Sequence, residues 1–197
     1  MQKEMLQKRR QAQLKAKRLR STLIIGGVVL LVGSFIGLVT WNYFKPLAGE
    51  EVPHLEDATA HVPEGSDPGP YSSSPPTSGR HYGVPLSSGF YEEDDPKVQL
   101  PYPEGYLLHN LEHGYIIFWY NCAVLDQSSC TELKTQISTL IDDLKEIKVI
   151  GFPWKDMDTP LAISSWGQIQ RLDDFDETAA RAFVRTNRNQ APEPNTP

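Results

Sequence analysis

Five histidines, His54, His61, His81, His109 and His113, carry most of the chemistry this sequence offers. The last two belong to His109-Asn-Leu-Glu112-His113, an H-x-x-E-H pattern. Residues i and i+4 share a face of a helix, and even offsets share a face of a strand, so the two imidazoles converge on one ion in either conformation. Glu112 discriminates between the two: on a helix it lies near both rings, on a strand opposite them. Three chemistries fit. The pair forms part of a zinc or copper site. Alternatively the motif is an inverted zincin, a metal-dependent hydrolase with Glu112 as general base. Or the histidines are hydrogen-bonded structural groups at the start of a strand. Gly114 and a strongly β-forming run follow at once, against the long helix a zincin needs.

Cys122 and Cys130 bracket seven residues. In an oxidising compartment they form a structural disulfide, and so short a closed loop stabilises by about 2–3 kcal/mol in the chain-entropy treatment. A redox pair, with Cys130 activated at a helix N-terminus, and two free thiols are the alternatives. The chain has no Walker loop, no G-x-G-x-x-G, no G-x-S-x-G and no C-x-x-C.

The elements that must hold these residues fall after residue 105. Residues 115–120 are an apolar, aromatic and β-branched run, hence a buried strand. Ser129-Cys-Thr-Glu132 reads as a capping box. Leu133, Ile137, Leu140, Ile141, Leu144 and Ile147 follow with one-faced helical spacing. Strands are expected at 148–153 and 161–166, with a short fourth at Arg171-Leu172 and a last helix capped by Asp176. The expected class is α+β with a β-α-β-β-α core, whose first helix makes a crossover between parallel strands. This order, with Thr159-Pro160 just before a strand, resembles the C-terminal half of a thioredoxin-like fold in degenerate form. That resemblance implies a cis bond at Pro160. Ten of the sixteen prolines fall between Pro53 and Pro103, so the N-terminal half of the body is expected to be loop-rich.

Upstream, residues 1–20 carry eight Lys/Arg against Glu4, residues 21–41 carry no charge, and residues 42–197 carry a net charge of −13. An acidic body excludes nonspecific nucleic-acid binding, which needs a basic surface. Residues 23–41 are nineteen uncharged residues, about 28 Å of helix and close to a bilayer core. Trp41 and Tyr43 stand where an aromatic belt lies. The preceding cations put the N-terminus in the cytoplasm and export the rest. A cleaved signal peptide is the alternative, but the apolar core is long for one and no A-x-A-like site follows. The expected division is a basic cytoplasmic head at 1–20, a single transmembrane helix at 21–43, a stalk or linker at 44–70, an extracytoplasmic domain at 71–186 and a disordered tail at 187–197. The lipid bilayer is then one partner and a membrane or exported protein another.

Pro75-Pro-Thr-Ser-Gly-Arg-His81-Tyr82, Gly89-Phe-Tyr91, His109-Asn-Leu-Glu-His-Gly114 and Phe118-Trp-Tyr-Asn121 together are similar to a bacterial and archaeal family of membrane-anchored proteins known only as a domain of unknown function. The similarity runs from about His61 to about Phe183. It implies that His61, His81, His109 and His113 belong to the family signature and that His54 does not. Three or four imidazoles on loops around a core make a first shell for zinc or copper, with Glu112 as an accessory group. Met157, if the Pro160 loop lies near, would add a thioether and favour copper. The leading function is therefore a membrane-tethered extracytoplasmic metal-binding domain. A noncatalytic thioredoxin-like interaction or assembly module, with Tyr82, Tyr91, Trp119 and Trp166 as core or interface, is the second. A hydrolase using Glu112 is the third.

Overall fold

The computed structural model describes residues 2–196. Met1 and Pro197, the outer ends of the expected head and tail, lie outside the described residues, as do the side chains of several residues within 2–16 and of residues 42–44, Tyr43 among them. The chain divides into two compact units, Met1–Pro46 and Leu47–Pro197.

The first unit is one helix, α1 (Gln2–Phe44). Its Lys17–Trp41 segment, 25 residues, is long and apolar enough to cross a membrane. By length and composition it fits a membrane anchor or a signal sequence.

The second unit is built on a six-stranded mixed sheet. Its elements are β1 (Glu50–Glu51), β2 (Gly89–Phe90), α2 (Glu104–Glu112), β3 (Ile116–Tyr120), α3 (Gln127–Asp143), β4 (Val149–Pro153), β5 (Leu161–Ser165), β6 (Gln168–Leu172) and α4 (Glu177–Asn187). The strand order is β1-β6-β5-β3-β4-β2. β3 and β4 are parallel across the α3 crossover, with Phe118 opposite Gly151. β5 returns antiparallel to β3 and pairs antiparallel with β6. The fold is α+β as expected, and the fourth strand is longer than Arg171-Leu172 suggests.

Successive strand residues point to opposite faces. Ile116, Phe118, Tyr120, Val149, Leu161 and Ile163 pack with Leu133, Ile137, Leu140 and Ile141 of α3 and with Ala180, Phe183 and Val184 of α4. Ile117, Trp119, Ile150, Phe152 and Ala162 form the opposite cluster with Leu107, Leu108 and Leu111 of α2. Trp119 is fully buried, and its Nε1–H donates to Ser164 Oγ at 2.7 Å, which satisfies the indole.

Four expectations need correction. The segment 44–70 is not a free linker: from Leu47 it belongs to the folded unit. β1 pairs with β6, Val52 and Ala58 are buried, and the Ala48 backbone bonds the Asn187 side chain at both N–H and C=O. Residue-by-residue docking of this kind leaves no periodicity to read. The tail is docked as far as Thr196. Asn189 N–H donates to Gly114 C=O, Glu193 N–H to Glu112 C=O, and Lys148 Nζ to the carbonyls of Pro194 and Thr196. Gly114, at φ +83°, permits that approach, because a Cβ there would stand 2.6 Å from Asn189 Cα. The α3 cap is Asp126 rather than Ser129. Its side chain accepts from Ser128 N–H and Ser129 N–H, which starts the helix three residues earlier. Finally, the cis bonds precede Pro70 and Pro75, not Pro160. Trans is the ordinary X-Pro isomer, and in it the Pro160 carbonyl accepts Asn121 N–H at 2.8 Å.

Candidate metal centre

α2 places the first two groups. Leu107, Leu108 and Leu111 are fully buried against the sheet and fix the helix by its apolar stripe. Asn110, also fully buried, accepts Leu86 N–H and donates to Leu86 C=O, which ties the proline-rich loop to α2. On a helix i and i+3 share a face, so His109 and Glu112 point together. The loops supply the other two groups. His61 and His81 meet in an isolated parallel bridge, where Val62 N–H donates to His81 C=O and His81 N–H to Ala60 C=O.

The result is a cluster of His61, His81, His109 and Glu112, with one donor atom from each within 4.8 Å of all the others. The three imidazole centroids are 4.9, 5.1 and 5.3 Å apart. Glu112 Oε2 lies 2.9 Å from His81 Nε2, 3.6 Å from His61 Nε2 and 3.8 Å from His109 Nδ1. A tetrahedral ion with bonds of about 2.0–2.1 Å separates its donors by about 3.3 Å, inside that spread.

Two features show what these donors lack. His81 Nδ1 is 2.8 Å from Gly79 C=O. A carbonyl only accepts, so the ring proton sits on Nδ1 and the Nε2 lone pair faces the Glu112 carboxylate. Two acceptors at 2.9 Å need a proton or a metal cation between them. The Nδ1–H to carbonyl bond is also the outer-shell contact that orients a ligating histidine. Second, His109 Nδ1 is buried without a hydrogen-bond partner. Burial, then the neighbouring His113, His81 and His61, push the His109 pKa down to about 4, so the ring is neutral and its nitrogen is free to ligate. An orphaned buried nitrogen and an acceptor facing an acceptor fit a bound cation.

The cluster differs from the expected set in one member. His113 is the residue after the helix. Its ring packs on His109 at 4.2 Å and its Nε2 lies 3.6 Å from Glu193 Oε2 of the docked tail. Glu112, expected as an accessory group, takes the place expected of His113, because α2 is helical through Glu112 and puts that carboxylate beside His109. His54 lies elsewhere, stacked on Trp166 and paired through Nδ1 with Ser78 Oγ at 2.8 Å. Met157 is buried in the apolar cluster of α2. Tyr82 and Trp119 are fully buried, and Trp166 nearly so, so all three belong to the core. Cys122 and Cys130 form a disulfide with Cα atoms 5.2 Å apart. Their sulfurs, although near Glu93, are therefore not thiolate donors. The Gly79 carbonyl, which sets the His81 tautomer, has no signature in sequence beyond its place in the turn before His81.

A family model described as a protein of unknown function, DUF3105, matches residues 61–197, which include all four cluster residues. Comparison with curated proteins and with solved structures gives no match.

Proposed function

The chain belongs to the DUF3105 family, and we propose that it is a membrane-tethered extracytoplasmic domain that binds a transition-metal ion through His61, His81, His109 and Glu112. The observation that carries this reading is His81: its Nδ1 is committed to Gly79 C=O while its Nε2 faces a buried carboxylate oxygen at 2.9 Å. A cation in the cluster turns that conflict into coordination. Three imidazoles and a carboxylate suit zinc or Cu(II). With Met157 in the apolar cluster, the argument for Cu(I) loses its sulfur.

The topology follows from charge and redox chemistry. Eight cations within residues 1–20, ahead of the uncharged run at 21–41, favour a cytoplasmic N-terminus and an anchor. The Cys122–Cys130 bond favours an oxidising compartment for the folded unit. The hydrolase reading is weakened, because the carboxylate it needs as general base is itself the fourth donor. The noncatalytic interaction or assembly module remains the reading to adopt if no metal binds.

The test is calorimetric titration of the full chain in detergent, stripped of metal, with Zn(II) and Cu(II). Binding tighter than about 1 μM, lost in His81→Ala and His109→Ala, is the expected result. Affinity no tighter than about 1 mM overturns the reading.

A further inference from the structure

The four donors are not equally placed. The side chains of His81, Glu112 and His109 are 0%, 3% and 7% exposed, whereas that of His61 is 52% exposed. The backbone on both sides of His61 is nonetheless fixed, since Ala60 C=O and Val62 N–H are both bonded to the His81 backbone. Beneath the ring lies Gly83, where even an added Cβ would make only ordinary contact, at 3.6 Å. His61 is therefore a half-solvated ring on a fixed backbone, beside three donors sealed in the core.

Resting on the metal-binding reading above, we infer that His61 is the exchange ligand of the site, through which the cation passes to or from an external chelating group. The bound ion is then cargo. In the exchange step one metal–nitrogen bond, to His61 Nε2, breaks and one bond to the incoming nitrogen or oxygen donor forms. The oxidation state of the ion does not change, and the freed imidazole is rehydrated. His81, His109 and Glu112 hold the ion while this happens. A site built only to brace the fold has no use for an exposed fourth ligand. A hand-over site needs one coordination position that a second molecule reaches without opening the core.

The experiment uses the full-length chain in detergent, loaded with Zn(II), and two readouts. Release to a chromophoric chelator is followed by stopped flow. The expected rate rises in proportion to chelator concentration, since the chelator enters before the ion leaves; a rate independent of chelator concentration overturns the inference. In the second readout, Zn(II) affinity is measured with and without about 10 mM free imidazole, with the wild type in the same buffer as reference. Imidazole is expected to recover at least about tenfold of the affinity lost in His61→Ala and none of that lost in His81→Ala, whose position is sealed. Rescue of neither variant, or of both, also overturns it. Should His81→Ala not fold, the chelator dependence and the His61→Ala rescue decide together. If the wild type binds Zn(II) and these signatures are absent, the exchange role alone fails. If the wild type binds no metal, the metal reading fails and the inference falls with it.

Discussion

On one face of the sheet, Phe118, Ile116 and Ile163 meet two amphipathic helices in an apolar cluster, where the buried polar pair Ser165 and Asn187 is joined by its own hydrogen bond. On the other, Ile117, Trp119 and Phe152 meet α2 and proline-rich loops, and that cover brings Thr77, Ser78, His81, His109, Asn110 and Glu112 into the interior. The first face is the usual solution to burying a sheet, where each fully buried large side chain contributes about 1.5–3 kcal/mol. The second accepts the cost of buried polar groups. Most of that cost is met by named partners, such as Leu86 for Asn110. At His109 Nδ1 and Thr77 Oγ1 no protein partner meets it, and the His81–Glu112 contact needs a proton or a cation between its two acceptors. The comparison separates a face that stabilises from a face that holds a site, and variants of the two should behave differently.

The largest effect is expected on the helical face. Phe118→Ala removes a fully buried ring between α3 and the sheet and should lower unfolding free energy by about 3–5 kcal/mol. Urea titration of the metal-free protein measures it. Metal affinity of the folded fraction should be unchanged; a parallel loss of affinity would show that the faces are not independent.

Next comes Glu112→Gln on the site face. Loss of the carboxylate donor should weaken metal binding at least about 100-fold, about 2.7 kcal/mol. The metal-free variant should be as stable as the wild type or more so. An amide at this position donates to the His81 Nε2 lone pair, where the wild type sets two acceptors 2.9 Å apart. Thermal unfolding with and without Zn(II) reads both terms. Destabilisation of the metal-free form by more than about 1 kcal/mol would mean that a proton already bridges His81 and Glu112 without metal.

A smaller effect belongs to the Cys122–Cys130 bridge, eight positions apart and set at the helical face. Reduction, or Cys122→Ala with Cys130→Ala, should cost about 2–3 kcal/mol and leave metal affinity intact. Loss of metal binding on reduction would instead implicate the sulfurs in the site.

The same division explains what was legible in the sequence. Leu133, Ile137, Leu140 and Ile141 announce α3 by spacing, and residues 116–120 announce β3 by composition, because helices and strands impose periods. The loops of the site face have none. His61 is positioned by one bridge to His81, twenty residues away, and the tail by single bonds from Asn189 and Glu193. Such segments read as linker and disorder. The histidines are legible by type and motif, but which of them converge is not. That choice turns on whether residues 109–112 are helix or strand start, which Gly114 and the β run after it leave open. Buried Leu107, Leu108 and Leu111 decide for helix.

The smallest expected effect tests the helical face by pH. Asp126 caps α3, and hydrogen bonds from the Ser128 hydroxyl, then from Ser129 and the helix amides, hold its carboxyl well below its ordinary value of 3.8. Because the folded pKa is depressed, the carboxylate contributes stability that is fully present above the unfolded value and is lost progressively as pH falls below it towards the folded one. Asp126→Asn keeps an oxygen acceptor but has no charge to titrate. The wild type should therefore exceed Asp126→Asn in urea midpoint at about pH 6, and the gap should narrow at about pH 2.5. Metal affinity at neutral pH should be the same for both. A gap that does not change with pH would assign the cap's contribution to hydrogen-bond geometry alone. A change in metal affinity would mean that the start of α3 is coupled across the sheet to the histidine face.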